Sequence, residues 1–154
     1  MNTKHNYDVV EIYEVRVYSD GAKLWFQNEQ LHRVDGPAME WNNGNYKWYQ
    51  EGKLHRVGGP AVVTDRYEGW YQNNELHRDD GPAVDDKTYG KSWYQNGLLH
   101  REDGPAVERI NGQNQYWIHG KLLTKEEFNN RNKVKELTIG QIEELLGHQI
   151  KIIK

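Results

Sequence analysis

The sequence contains no cysteine among its 154 residues. That absence excludes disulfide bonds and thiolate chemistry, and it is compatible with a reducing cytosol. No apolar run approaches the roughly 18 residues that a membrane-spanning helix needs, and the polar residues 1–8 lack the apolar core of a signal peptide. We therefore expect a soluble cytoplasmic protein without a membrane partner.

Motifs of the common enzyme classes are also missing. The sequence has no G-x-S-x-G nucleophile elbow, no Walker loop, no H-E-x-x-H zinc motif and no G-x-G-x-x-G dinucleotide fingerprint. The net charge of −3 favours neither a nucleic-acid binder nor an acidic DNA mimic. These absences predict a protein that is not an enzyme, needs no cofactor and does not bind nucleic acid.

The sequence does contain an internal repeat, whose clearest copy is Trp-Tyr-Gln-Asn-Gly-Leu-Leu-His-Arg-Glu-Asp-Gly-Pro-Ala-Val-Glu over residues 93–108. The copies begin at Trp25, Trp48, Trp70, Trp93 and, in degraded form, Tyr116, at intervals of 23, 22, 23 and 23 residues. A nearly constant interval is typical of stacked arrays, not of a fold with one central active site.

Each copy is expected to form a hairpin. Residues 9–18 are β-branched and aromatic, and Asp20-Gly21 separates them from the return strand over residues 23–27. A second reversal follows each Trp-Tyr-Gln segment, and a Gly-Pro corner then begins the next strand. The fold class is therefore mainly β, with an elongated twisted antiparallel sheet of about five tandem hairpin repeats over residues 1–123.

The repeat pattern ends before residue 124, and residues 124–154 carry helix signals that predict a small α-helical cap. Thr124 and Glu127 have the spacing of a capping box, as do Thr138 and Gln141. The second helix has Ile139, Ile142, Leu145 and Leu146 on one face and ends at Gly147, before a short final strand over residues 148–154. Such a cap would cover the exposed edge of the last repeat.

The strongest candidates for a functional site are the repeated His-Arg pairs: His32-Arg33, His55-Arg56, His77-Arg78 and His100-Arg101. Equivalent residues of neighbouring copies should lie about 9 to 10 Å apart, because each copy adds two strands at a spacing of ~4.8 Å. Zinc ligands lie about 2.1 Å from the ion, so one metal cannot bridge two copies. We therefore expect no metal site, and no candidate acid or base stands out as a unique catalytic group.

Two interpretations of these pairs remain open. In the structural one, each arginine pairs with the aspartate two residues later, and each histidine packs between copies. Gly58 replaces that aspartate in the second copy, which should leave Arg56 freer than Arg33, Arg78 and Arg101. In the ligand-binding one, guanidinium and imidazole groups beside aromatic rings hold a nucleotide, a phosphate backbone or an acidic protein surface.

The aromatic residues have the same ambiguity, since the chain has six Trp and ten Tyr but only two Phe. Alternation predicts a buried spine of Trp25, Trp48, Trp70 and Trp93. Tyr49, Tyr71 and Tyr94 should point to the opposite face, where they are candidates for a contact surface. The candidate binding residues are therefore these three tyrosines and the eight residues of the His-Arg pairs.

The train of aromatic-aromatic-x-Asn-Gly-x-Leu units over residues 15–123 resembles the MORN family, specifically the variant repeats of bacterial and phage proteins, some of them antitoxin-like. The resemblance implies a single-layer sheet of hairpins that binds or scaffolds other molecules. The segment over residues 136–152 is similar to the ends of small phage-encoded proteins, which implies an inhibitor of a host defence system, such as an anti-CRISPR.

Together these observations predict a non-enzymatic binding protein with a protein partner. Alternatives are a protein that sequesters a nucleotide or small ligand through the His-Arg pairs, and a structural assembly module. A homo-oligomer is compatible with all three.

Overall fold

The structure is a computed structural model that describes residues 12–131, 139–147 and 149. Residues 9–11 of the predicted first strand, the capping residue Thr138 and all of the predicted final strand except Gln149 lie outside the described residues. Gln149 has no regular secondary structure.

The described residues form eighteen strands and two helices. The strands are β1 (Glu14–Val17), β2 (Lys23–Gln27), β3 (Gln30–Leu31), β4 (Met39–Glu40), β5 (Tyr46–Lys47), β6 (Tyr49–Gln50), β7 (Lys53–Leu54), β8 (Val62–Val63), β9 (Tyr67–Gly69), β10 (Tyr71–Gln72), β11 (Glu75–Leu76), β12 (Val84–Asp86), β13 (Gly90–Ser92), β14 (Tyr94–Gln95), β15 (Leu98–Leu99), β16 (Val107–Arg109), β17 (Tyr116–Ile118) and β18 (Lys121–Leu123). The helices are α1 (Lys125–Asn130) and α2 (Ile139–Leu146).

The main sheet is antiparallel and follows the chain in the order β1-β2-β4-β5-β8-β9-β12-β13-β16, with β3 paired to β2. This arrangement confirms the mainly β prediction. The expectation of one hairpin per copy was wrong, because each full copy contributes a second, shorter hairpin. The pairs β6-β7, β10-β11, β14-β15 and β17-β18 form separate two-stranded sheets.

The two kinds of hairpin separate at the tryptophan that begins each copy. In the second copy the Trp48 amide donates to the Ala61 carbonyl, and the Trp48 carbonyl accepts from the His55 amide. The first bond continues the main sheet and the second closes the short hairpin. The tryptophan is therefore the residue at which the chain passes from one sheet to the other.

The short hairpins turn through two residues that both have positive φ. In the second copy these are Glu51 (φ 49°) and Gly52 (φ 72°). Two successive positive φ angles are the property of type I′ turns, which match the twist of antiparallel strands. Glu29 adopts φ 64° although it is neither Gly nor Asn, so the array imposes this conformation on an unfavourable residue.

Alanine, not tryptophan, forms the fully buried spine. The alanines that directly follow the four Gly-Pro pairs have no exposed surface: Ala38, Ala61, Ala83 and Ala106. The predicted tryptophan spine was wrong in this respect, because Trp25, Trp48, Trp70 and Trp93 are only partly buried. Each alanine carbonyl accepts a hydrogen bond from the amide of the tryptophan that begins the same copy, as Ala61 does from Trp48.

The helices begin and end close to the predicted residues. Thr124 caps α1, and its side chain and that of Glu127 form the complete capping box. Phe128 is 6% exposed, and its ring lies 4.8 Å from that of Tyr116 in the last repeat. The α2 helix is followed by Gly147 at φ 69°, as predicted. Neither described helix has the length and apolarity needed to span a membrane.

Candidate functional site

The His-Arg pairs lie in four corners, the segments that run from the short hairpin to the next main-sheet strand. We define the corners as residues 32–37, 55–60, 77–82 and 100–105, and together we call them the corner edge. Each contains a histidine, an arginine and a Gly-Pro pair in the same order. The structure therefore places all eight predicted His and Arg residues along one edge, repeated from copy to copy.

Each corner arginine packs on the tryptophan that begins its own copy. The guanidinium carbon lies 3.9 to 4.3 Å from the indole centroid in all four copies. On its other side is the glycine of the Gly-Pro pair, where a Cβ atom on Gly36, Gly59, Gly81 or Gly104 would lie only 2.5 to 3.1 Å from that carbon. The guanidinium is thus sandwiched between an indole ring and a bare backbone.

Hydrogen bonds fix the guanidinium within this sandwich. One terminal nitrogen donates to the carbonyl of the corner proline in every copy, at 3.0 to 3.4 Å. In three copies Nε also donates to the aspartate two residues later, at 2.7 to 2.9 Å: Arg33 to Asp35, Arg78 to Asp80 and Arg101 to Asp103. These bonds hold the pKa of each aspartate below its ordinary value. The predicted pairing of arginine with the aspartate two residues later is therefore confirmed for Arg33, Arg78 and Arg101.

The second corner lacks these ion pairs. Arg56 stacks on Trp48 at 4.3 Å and donates to the Pro60 carbonyl at 3.0 Å and the Tyr46 hydroxyl at 3.3 Å. Its Nε has no acceptor, and no carboxylate pairs with it, among the described residues. The prediction that Gly58 leaves Arg56 freer is confirmed.

Each corner histidine bonds to the short turn of the next copy. The Nδ1 atom of His32 accepts from the amide of Glu51 at 3.1 Å, and the same bond recurs from Asn73 to His55, from Asn96 to His77 and from His119 to His100. The histidines link copies, as the structural interpretation predicted.

His119 joins the last of these contacts, and sequence reasoning missed it. Its ring stacks on His100 at 4.2 Å between centroids, and His100 is 6% exposed. Burial, followed by the neighbouring His119, lowers the pKa of His100. The available signal was alignment, since His119 occupies the turn position of Glu51, Asn73 and Asn96, each of which bonds to the previous histidine. No group of three metal-ligating side chains occurs among the described residues.

The predicted tyrosine surface is only partly open. Tyr49, Tyr71 and Tyr94 are half-buried, and their carbonyls accept from the amides of Arg33, Arg56 and Arg78. Burial raises the pKa of Tyr49 and Tyr94, and the hydroxyl of Tyr71 lies 2.9 Å from that of Tyr67. These three residues therefore join neighbouring copies, and their role in binding stays a prediction.

A concavity of about 770 Å³ lies between the third and fourth corners. Its charged lining comprises Arg78, Arg101, Asp79, Asp80, Glu102 and Asp103. Both arginines donate to aspartates of their own corners, so the remaining exposed charge at this groove is acidic. Acidic walls repel phosphate, which disfavours a nucleotide at this position.

The corners differ in their exposed residues. The residue after the arginine is Val34, Val57, Asp79 and Glu102 in successive copies, and all four are exposed. The first two corners are thus apolar at this position and the last two are acidic. The corner edge therefore combines a uniform buried scaffold with a surface that changes along its length.

The contacts described above hold the copies in their repeated arrangement. The resemblance to MORN repeats stays a prediction from the sequence. The chain matches no protein-family model and no curated protein.

Proposed function

We propose that the protein is a non-enzymatic binding protein that engages a protein partner through its corner edge in the cytoplasm. The sequence resemblance supports a host defence or toxin protein as that partner. In this proposal the chain is a phage-encoded inhibitor, such as an anti-CRISPR, or an antitoxin-like protein.

The observation that carries the proposal is the contrast between repeated and variable positions. Side chains shared by the copies are engaged within the chain: each arginine by tryptophan and proline, and each histidine by the next turn. The exposed corner positions instead differ from copy to copy. Positions that hold the stack must repeat, whereas positions that recognise an asymmetric partner have no reason to.

The two alternative functions have less support. A nucleotide-sequestering protein needs free cations, but three of the four corner arginines already bond to aspartates. A structural assembly module would use the same exposed corners, with a second copy as the partner. The test below therefore includes the second copy as an outcome.

The proposal is tested by quantitative affinity capture from a bacterial host lysate with three forms of the chain. Val57→Glu alters the corner edge, where Val57 is 77% exposed. Ile110→Glu is the matched control, because Ile110 is 66% exposed and lies past the far end of β16 from its corner. We expect one or more host proteins to be retained by the wild-type chain and by Ile110→Glu, but not by Val57→Glu.

Four results would contradict the proposal. They are capture of no protein, retention of the partner by Val57→Glu, equal loss in both variants, and capture of this chain alone, which would support the assembly module. A parallel charge reversal of Arg56 and Arg101 tests the sequestering alternative, which requires loss of ligand without loss of folded protein.

A further inference from the structure

Arg56 is a cation that the fold positions without giving it a carboxylate. In the other three corners the carboxylate comes from Asp35, Asp80 or Asp103, at 2.7 to 2.9 Å from Nε. These corners show where a carboxylate lies when it binds this arginine. The molecule therefore contains three examples of the ligand that the second corner lacks.

A carboxylate can reach that position from solvent. The aspartates that occupy it have side chains that are 71%, 83% and 81% exposed although they are bonded to arginine. A Cβ atom on Gly58 would meet no atom within 4 Å, so the described residues leave the space around this glycine open. No described carboxylate bonds to Nε of Arg56, so this N–H group is available to a carboxylate from outside the chain.

The described residues do not supply the carboxylate by another route. In the first and fourth copies a glutamate seven residues after the arginine, Glu40 or Glu108, adds a second ion pair. Val63 takes that place in the second copy, and the Tyr46 hydroxyl accepts the hydrogen bond instead. Gly58 has a φ of +77°, a conformation that none of the three corner aspartates adopts, so the backbone also differs here.

The surroundings of Arg56 favour an acidic ligand with an apolar neighbour. Residues 53–60 contain Lys53, His55 and Arg56 but no acidic residue. Val57 is 77% exposed, and Val34 at the same position of the preceding corner is 48% exposed. A cation flanked by exposed aliphatic groups matches a protein segment that presents a carboxylate beside apolar side chains.

We propose that Arg56 binds a side-chain carboxylate from an acidic segment of a partner protein, in the position that Asp35, Asp80 and Asp103 occupy in the other corners. This inference rests on the proposed function and names the contact at its centre. The Nε–H group of Arg56 donates to the carboxylate, as it does in the other corners, while Trp48 and the Pro60 carbonyl hold the arginine in place. The preorganised side chain reduces the entropy lost on binding.

The direct test does not need the partner. The probe is N-acetyl-aspartate amide, titrated into the full chain while the Nε–H signals of the four corner arginines are followed by NMR. The matched control is N-acetyl-asparagine amide, which has the same shape without the charge. We expect the Arg56 signal alone to shift, and only with the aspartate probe, with a dissociation constant on the order of 10 mM for one charge-assisted contact.

Two variants exchange the properties of neighbouring corners. Gly58→Asp supplies an internal carboxylate and should abolish the response of Arg56, whereas Gly58→Asn carries the same backbone strain without charge and should keep it. Asp80→Gly removes the carboxylate of Arg78, which has no second acidic partner, so Arg78 should begin to respond. Because Asp80→Gly changes an exposed position, it keeps the test valid if the Gly58 variants fold poorly.

The inference is overturned if Arg56 does not shift, if all four arginines shift alike, or if the asparagine probe acts equally. An Arg56 shift that grows with protein concentration, without the probe, would assign the carboxylate to a second copy and also overturn it. With a captured partner, Arg56→Gln should weaken binding by about ten-fold or more. Failure to capture any protein contradicts the proposed function, whereas capture with unchanged binding by Arg56→Gln contradicts only this inference.

Discussion

The second and fourth corners hold the same arginine in two different electrostatic environments. Arg101 bonds to Asp103 and Glu108, whereas Arg56 bonds to no carboxylate of the described residues. Both guanidinium groups nevertheless lie over their tryptophans, at 4.3 Å for Arg56 and 3.9 Å for Arg101, and both donate to the corner proline. The comparison teaches that the aromatic ring and the backbone position the arginine, and that the carboxylates neutralise it.

The largest effect should come from removing the aromatic ring. Trp48→Ala and Trp93→Ala should each lower the free energy of unfolding by about 3 kcal/mol, because both lose a large, partly buried side chain. Urea unfolding measures the loss, with Trp→Phe at the same positions as a milder control. A much smaller loss for Trp93→Ala would mean that the ion pairs of Arg101 hold the fourth corner, contrary to the comparison.

A methyl group on the corner glycine should have the next largest effect. The Cβ of Ala would lie 2.8 Å from the Arg56 guanidinium carbon at Gly59 and 3.1 Å from that of Arg101 at Gly104. We expect Gly59→Ala and Gly104→Ala to destabilise the chain by about 1 to 2 kcal/mol, with the larger loss at Gly59, because the arginine must leave the indole. Gly140→Ala serves as a control for glycine removal, because Gly140 has neither a positive φ nor an atom near the added Cβ. Wild-type stability of Gly59→Ala and Gly104→Ala would show that the sandwich does not constrain the guanidinium.

Replacing the arginines themselves should have a smaller effect, measured as the difference in the free energy of unfolding between the second-corner and fourth-corner variants. Arg101→Met leaves two carboxylates without a cation, whereas Arg56→Met leaves none. The extra loss for Arg101→Met should be below about 1 kcal/mol, and it should shrink at high salt because exposed ion pairs are screened. Unfolding of both variants in low and high salt tests this difference. A salt-independent gap would contradict it.

The smallest effect concerns pH. Burial and the stacked His119 lower the pKa of His100 below its ordinary value of 6.5, with Arg131 adding to the decrease and Glu102 opposing it. The unfolded chain then binds a proton more readily than the folded one, so stability should be full above about pH 6.5. It should fall as the pH drops through that value and level off below the lowered pKa.

His100→Asn provides the control for this pH dependence. Its amide oxygen can still accept from the His119 amide, but it does not titrate. Unfolding at pH 7.5 and pH 5.5 should therefore show a smaller difference for His100→Asn than for the wild-type chain. An equal difference would assign the pH dependence to another group.

The fold was predictable where the repeat shows in local chemistry. The Asp20-Gly21 turn and the Thr124/Glu127 capping box each depend on a few neighbouring residues, and each predicted the right element. The regular interval predicted the succession of hairpins. The paired arginine and aspartate were likewise predictable, because their two-residue spacing recurs beside the gap at Gly58. Local patterns with one physical cause thus transferred directly to the structure.

The remaining features depend on contacts between residues that lie far apart in the sequence. Period-2 alternation placed Trp48 in a buried spine, but it takes no account of the chain leaving the main sheet at that residue. Ala61 is buried instead, and its carbonyl and amide bond to the backbones of Trp48 and Gly69. His119 was missed for a related reason, since its contact with His100 joins positions nineteen residues apart.

The central claim is that the repeated corner residues hold the array, whereas the positions that vary recognise the partner, together with Arg56, which the variable Gly58 leaves without an aspartate. It is tested most directly by measuring both unfolding and affinity for the captured partner in Arg101→Met and Val57→Glu. We expect Arg101→Met to be less stable but to bind as the wild-type chain does, and Val57→Glu to be as stable as the wild-type chain but to bind at least about ten-fold more weakly. Weak binding by a folded Arg101→Met, together with normal binding by Val57→Glu, would contradict the claim.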